Sequence, residues 1–124
     1  MSAMTIQLHS LGVILFLVLV GCTTQPIISY QRDVTPILEV KCLACHLPPK
    51  GTGYLKSGLN MESYGSLMKG TIYGPVIVPG DSRHSVFNMV VEDRLNSSMR
   101  APQPLTKEEI AILRLWVDQG AKNN

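Results

Sequence analysis

The residues with the clearest chemistry are Cys42, Cys45 and His46, in the run Cys42-Leu43-Ala44-Cys45-His46. Two cysteines three apart on a helical turn face the same way. A C-x-x-C-H run of this kind reads as an attachment site for c-type haem. The two thiols are placed to join the two vinyl groups along one edge of a macrocycle, and the next imidazole reaches the iron as proximal ligand. Other chemistries use the same residue types. A structural zinc site takes four Cys or His ligands. The motif supplies three, with Cys22 the only other cysteine and His84 the only later histidine. A thioredoxin-like dithiol sits beside a βαβ unit, and the sequence shows no such alternation. One covalently bound haem c is therefore the expected cofactor. Such a group needs a small shell that excludes water and supplies a sixth ligand.

A haem held by His46 leaves its other axial position to be filled. A Met thioether raises the reduction potential and suits an electron carrier, whereas a second His lowers it. The candidates are Met61, Met68, Met89, Met99 and His84. The first three fall on expected helices at core spacing, where Met usually fills space. Met99 lies in a proline-bounded loop just before the last helix, with no apolar neighbours close in sequence. It is the expected distal iron ligand, with Met89 and His84 as the alternatives.

Positioning these groups falls to helices. Thr35 and Pro36 read as an N-cap and N1 pair, with Asp33 as an alternative cap, starting a helix that runs into Cys45. Ile37, Leu38 and Val40 are its inward residues. Residues 47–58 read as a loop, punctuated by Pro48, Pro49, Gly51, Gly53 and Gly58. A carbonyl near Pro48 or Pro49 is the expected acceptor for the second ring nitrogen of His46. Asn60 is expected to cap a short helix through Met68, ended by Gly70. Met61, Tyr64, Leu67 and Met68 give it an apolar face. The breaker-bounded run 74–80 reads as extended. Asp81 or Ser82 then starts a helix to about Glu92, carrying Val86, Phe87, Met89, Val90 and Val91. The last helix is the best marked: Thr106 and Glu109 form a capping box, and Leu105 and Ile110 a hydrophobic staple. Ile110, Leu113, Trp116 and Val117 make its buried stripe, and Gly120 ends it. No strand pattern occurs, so the expected class is all-α, with about four short helices.

The chain has 124 residues, 45% hydrophobic and 16% charged, which sets one small domain. A formal charge of +2 leaves no footprint for nucleic acid. So small a domain buries limited apolar area, and a covalent haem would complete its core. The three cysteines have separate expected roles, so no disulfide is required. Residues 11–20 are apolar apart from Gly12. That run is shorter than the roughly 20 residues of a membrane span and matches the apolar core of a signal peptide. It ends in Leu19-Val20-Gly21-Cys22, which resembles the lipobox of bacterial lipoproteins. That resemblance implies a signal peptide over residues 1–21, lipidation at Cys22, a tether over 22–29 and a folded domain over 30–124. Acyl chains would hold the protein to a membrane surface. Haem ligation in bacteria occurs outside the cytoplasmic membrane, which agrees with export to the periplasmic face of the envelope.

Taken together, the sequence resembles the class I cytochrome c fold, and more narrowly the small cytochrome c domain of planctomycete-type proteins. The matching pieces are Val34-Thr35-Pro36-Ile37-Leu38 running into Cys42; Gly58-Leu59-Asn60-Met61; Val78-Pro79-Gly80-Asp81 with Ser85; Met99; and Leu105 through Trp116 to Gly120-Ala121. The resemblance spans residues 30–121. It implies that the first and last helices cross, with Trp116 near that crossing or the haem. In the family the ligand Met is commonly followed at once by Pro, whereas Arg100 and Ala101 intervene here before Pro102. The expected function is a monohaem cytochrome that carries single electrons between redox partners, with no enzymatic activity. The alternative is a sensor or peroxidase-like enzyme whose sixth site is open or weakly ligated.

Overall fold

The computed structural model describes residues 24–95, 99 and 101–124. The expected signal peptide and the lipidation site Cys22 lie outside the described residues. Among those residues every regular element is helical, and the one extended pairing is an isolated bridge between Thr71 and Gly74.

The chain enters its first helix earlier than the Thr35-Pro36 pair predicts. Ser29 is extended, and its hydroxyl accepts from the Arg32 N–H, while the Asp33 carboxylate accepts from the Ser29 N–H at 2.8 Å. This reciprocal cap starts a π-helical turn over Tyr30–Val34, which passes into α1, Thr35–Lys41. Thr35 therefore sits inside the helix, its hydroxyl donating to the Tyr30 carbonyl at 3.0 Å. The wide turn ends just ahead of Pro36, whose missing N–H interrupts the regular ladder. α1 stops at Cys42, and the motif forms its own short helix, α2, Leu43–His46. Ile37 and Leu38 are buried as expected, but Val40 is 55% exposed, on the outer face.

Three further differences come from local side-chain bonding. Inside the expected loop lies a short helix, α3, Thr52–Ser57, stopped by Gly58 at φ 72°. α4, Tyr64–Lys69, is capped by Ser63 and Ser66 rather than by Asn60. Asn60 instead accepts from the Glu62 N–H at 2.8 Å, a local turn that competes with helix. α5 covers only Val86–Val91, because the residues ahead of it are committed elsewhere. The Ser85 hydroxyl accepts from the Val78 N–H and donates to the Asp81 carbonyl, and the Asp81 carboxylate accepts from the His84 N–H. α6, Lys107–Asp118, begins with the expected Thr106–Glu109 capping box, and Gly120 follows at φ 101°.

α6 organises the core. Leu113, Trp116 and Val117 are essentially fully buried in one cluster with Val34, Leu38, Leu67 and Phe87. The Trp116 ring lies 5.4 Å from that of Tyr30, and Tyr30 meets Tyr64 edge-on at 5.2 Å. Burying both polar tips requires partners: the Trp116 indole N–H donates to the Lys122 carbonyl and the Tyr64 hydroxyl to Ala121. The packed body reaches back before Tyr30. Gln119 at the end of α6 bonds the Ile28 N–H and the Pro26 carbonyl, and Ile28 is buried.

Candidate functional site

Beside this core is a cavity of about 440 Å³, in the range of roughly 300–1,000 Å³ usual for cofactor pockets. Cys42, Cys45 and His46 all line it. The break between α1 and α2 achieves this: the N–H groups of Cys45 and His46 both bond the Cys42 carbonyl, at 3.1 and 3.0 Å. One tight turn thus carries both thiols and the imidazole to the same wall.

His46 is 7% exposed and held in one tautomer. Its Nδ1 lies 3.2 Å from the Leu59 carbonyl, which can only accept, so the proton sits on Nδ1 and Nε2 keeps its lone pair. The acceptor is thus Leu59, not the Pro48 or Pro49 carbonyl expected from sequence. The Met61 N–H closes the same loop by donating to the His46 carbonyl at 3.0 Å. Burial lowers the His46 pKa, opposed by the Leu59 bond. The imidazole is therefore neutral at physiological pH, the form that ligates a metal. Gly53 lies against the ring: a Cβ there would stand 2.6 Å from Cε1 and 2.7 Å from Nε2. Gly51 is wedged against the motif backbone, where a Cβ would meet the Cys45 carbonyl oxygen at 2.5 Å.

Burial pushes the Cys42 thiol up to about 11, with Cys45 and Glu109 adding to the rise. A redox-active dithiol shows the opposite shift, toward the reactive thiolate. Among the described residues no three His, Cys, Asp or Glu side chains converge to hold a metal ion, so the zinc reading finds no ligand set there.

Another part of the lining comes from α5 and the segment ahead of α6. Phe87, Val90 and Val91 contribute apolar surface, and Met99, Ala101, Pro102 and Leu105 also line the cavity. Val76 joins them, tied to α5 by the Phe87 N–H donating to its carbonyl at 2.9 Å. Of the candidate sixth ligands, Met99 thus borders the cavity and is partly buried. His84 does not border it. Its side chain is 71% exposed and bonded to Asp81 at 2.7 Å. Met89 and Met68 are also off the cavity wall. Met61 borders it, from the loop that anchors His46. Trp116 does not, so it serves the helix crossing.

These residues fit a haem. The lining offers two thiols and a neutral imidazole with a free lone pair, and most of the rest of it is apolar. Sequence reasoning missed Leu59, Gly53 and the buried Lys41, which also lines the cavity. Only Leu59 had a visible signal, its place in Gly58-Leu59-Asn60-Met61. No curated protein and no solved structure matches the chain. Residues 42–99, from the first motif cysteine to the candidate distal ligand, match the family model described as Planctomycete cytochrome C.

Proposed function

Because residues 42–99 form a planctomycete-type cytochrome c domain, and so make this an all-α haem protein, we propose that the chain is a monohaem electron carrier of the bacterial cell envelope. Cys42 and Cys45 hold the haem as thioethers, His46 is its proximal ligand and Met99 its distal ligand. When bound, the haem supplies a single-electron ferric/ferrous couple. The chain's own residues do the rest. The Leu59 carbonyl orients the His46 ring and makes Nε2 more basic. Phe87, Val90 and Val91 exclude water from one wall of the cavity. The single observation that carries this reading is that Cys42, Cys45, His46 and Met99 border one cavity.

A carrier role is favoured over an enzyme because, among the described lining residues, no carboxylate or second imidazole accompanies His46. Peroxide cleavage would require such acid–base groups. Redox partners would dock near the cavity rim. Lys56, Ser57 and Thr71 line the cavity there, and the Ile72 N–H bonds the Ser57 carbonyl at 2.9 Å. Ile72 and Tyr73 are 71% and 89% exposed, and Leu55 is 67% exposed. Small apolar patches of this sort suit brief, low-area contacts. Lipidation at Cys22, after removal of residues 1–21, would keep the domain at the periplasmic face of a membrane. Among the described residues no helix is long and apolar enough to cross a membrane.

The ferric optical spectrum tests the ligand set. His/Met ligation gives a weak far-red charge-transfer band that disappears in Met99→Ala. A high-spin ferric spectrum in the unaltered protein would contradict the carrier reading and favour an open sixth site.

A further inference from the structure

We propose that Lys41 is a positioning residue that fixes the distal wall of the cavity. The inference rests on the proposed ligation by Met99 and names what holds that ligand in place. Lys41 is the last residue of α1, adjacent to Cys42, and it lines the cavity. A lysine at a helix C-terminus is favourable while fully exposed, so that role alone does not require burial. Yet Lys41 is only 9% exposed, and lysine is almost never buried unless paired.

Its ammonium joins three parts of the chain. Nζ donates to the Pro104 carbonyl at 3.0 Å and lies 3.5 Å from Glu109 Oε2. Glu109 Oε2 in turn accepts from the Thr106 N–H at 2.8 Å, within the capping box that starts α6. Pro104 follows Ala101 and Pro102, which line the cavity with Met99, and does not itself line it. One buried cation therefore pins the exit of the Met99 segment to the helix that ends beside the first attachment cysteine. The distance between the proximal turn and the distal segment is thereby set by a charge-assisted hydrogen bond rather than by packing alone. Without that tie, a shift of the chain at Pro104 would let Met99 leave the iron and admit a competing ligand.

The test is the affinity of the ferric holoprotein for imidazole, read as loss of the far-red Met–iron band. In Lys41→Met, imidazole should bind about tenfold more tightly or better, the scale of one lost hydrogen bond from a charged group. Lys41→Arg should restore most of the wild-type resistance. Glu109→Gln keeps the capping-box acceptor but removes the charge, and should shift affinity in the same direction by less. Leu67→Ala, a truncation of a core residue that does not line the cavity, controls for general destabilisation and should leave imidazole affinity within about twofold. Wild-type affinity in both Lys41→Met and Glu109→Gln, with the band present, would overturn this inference alone. So would an equal gain in Leu67→Ala. A wild-type protein without the band would overturn both the inference and the Met99 reading beneath it.

Discussion

The imidazole of His46 is constrained from two sides, by the Leu59 carbonyl at Nδ1 and by Gly53 against the ring. Gly53 does not adopt a left-handed backbone, so its role is one of space alone. A methyl group there would overlap the ring at the nitrogen proposed to meet the iron. Gly53→Ala should therefore cost about 1–3 kcal/mol by overpacking and weaken axial ligation while leaving both thioethers intact. Thermal unfolding and the ferric spectrum together check this: an unchanged low-spin spectrum would show that the ring has room to move. At this scale the sequence singled out the groups proposed to bear the chemistry but not those that orient them. Cys42, Cys45 and His46 are near neighbours in sequence, so their spacing alone suggests haem attachment. The Leu59 carbonyl is a backbone atom thirteen residues away, and no residue type announces it. Nothing in the sequence sets Lys41 apart, and only its contacts with Pro104 and Glu109 account for its burial.

Helix boundaries follow from where short polar side chains find backbone partners. The Thr106–Glu109 box was legible because both members of the pair are sequence neighbours with one dominant geometry. Ser29, Ser63 and Ser85 were harder to read, since each hydroxyl chooses among several nearby donors and acceptors. Ser85 spends its hydroxyl on the 78–81 turn and so caps α5 without a side-chain bond. Charge pairing then ties α5 to α6. The Glu92 side chain is 8% exposed and bonds Arg114 at 2.8 Å, with Arg94 on its other oxygen. Burial pushes the Glu92 pKa up, but the Arg114 and Arg94 hydrogen bonds outweigh it and hold the carboxyl below its ordinary 4.5. With the folded value depressed, its stabilisation is complete above about pH 4.5 and is lost as pH falls through the folded value. Glu92→Gln should lower stability at neutral pH by about 1 kcal/mol or less, because the arginines are partly solvent-screened. Thermal unfolding measured against pH should show the two proteins converging below about pH 4.5. A constant gap down to strongly acidic pH would contradict this account.

At the scale of the whole molecule, the described residues form a small helical body, of which residues 42–99 match a cytochrome c family model, and it carries a cavity that its own core does not fill. The cluster around Trp116 makes the core, while Val86, Phe87, Val90 and Val91 of α5 line the cavity. This explains why the apolar pattern alone could assign residues to the interior but could not separate core from cavity wall. Phe87 and Leu113 look alike in sequence, yet only Phe87 faces the cavity. Beyond the domain, lipidation predicts that Cys22→Ser moves the protein from the membrane fraction to the soluble periplasmic fraction. A membrane-bound Cys22→Ser protein would argue for a different anchor. The central claim is that Cys42 and Cys45 covalently hold one haem, and the most direct measurement is a pyridine haemochrome spectrum of the envelope-purified protein after acid–acetone extraction. The account predicts one haem per chain retained through extraction, with the band position of two thioether links, and loss of retained haem when both cysteines are replaced by Ala. Haem that is absent or leaves with the solvent would contradict it.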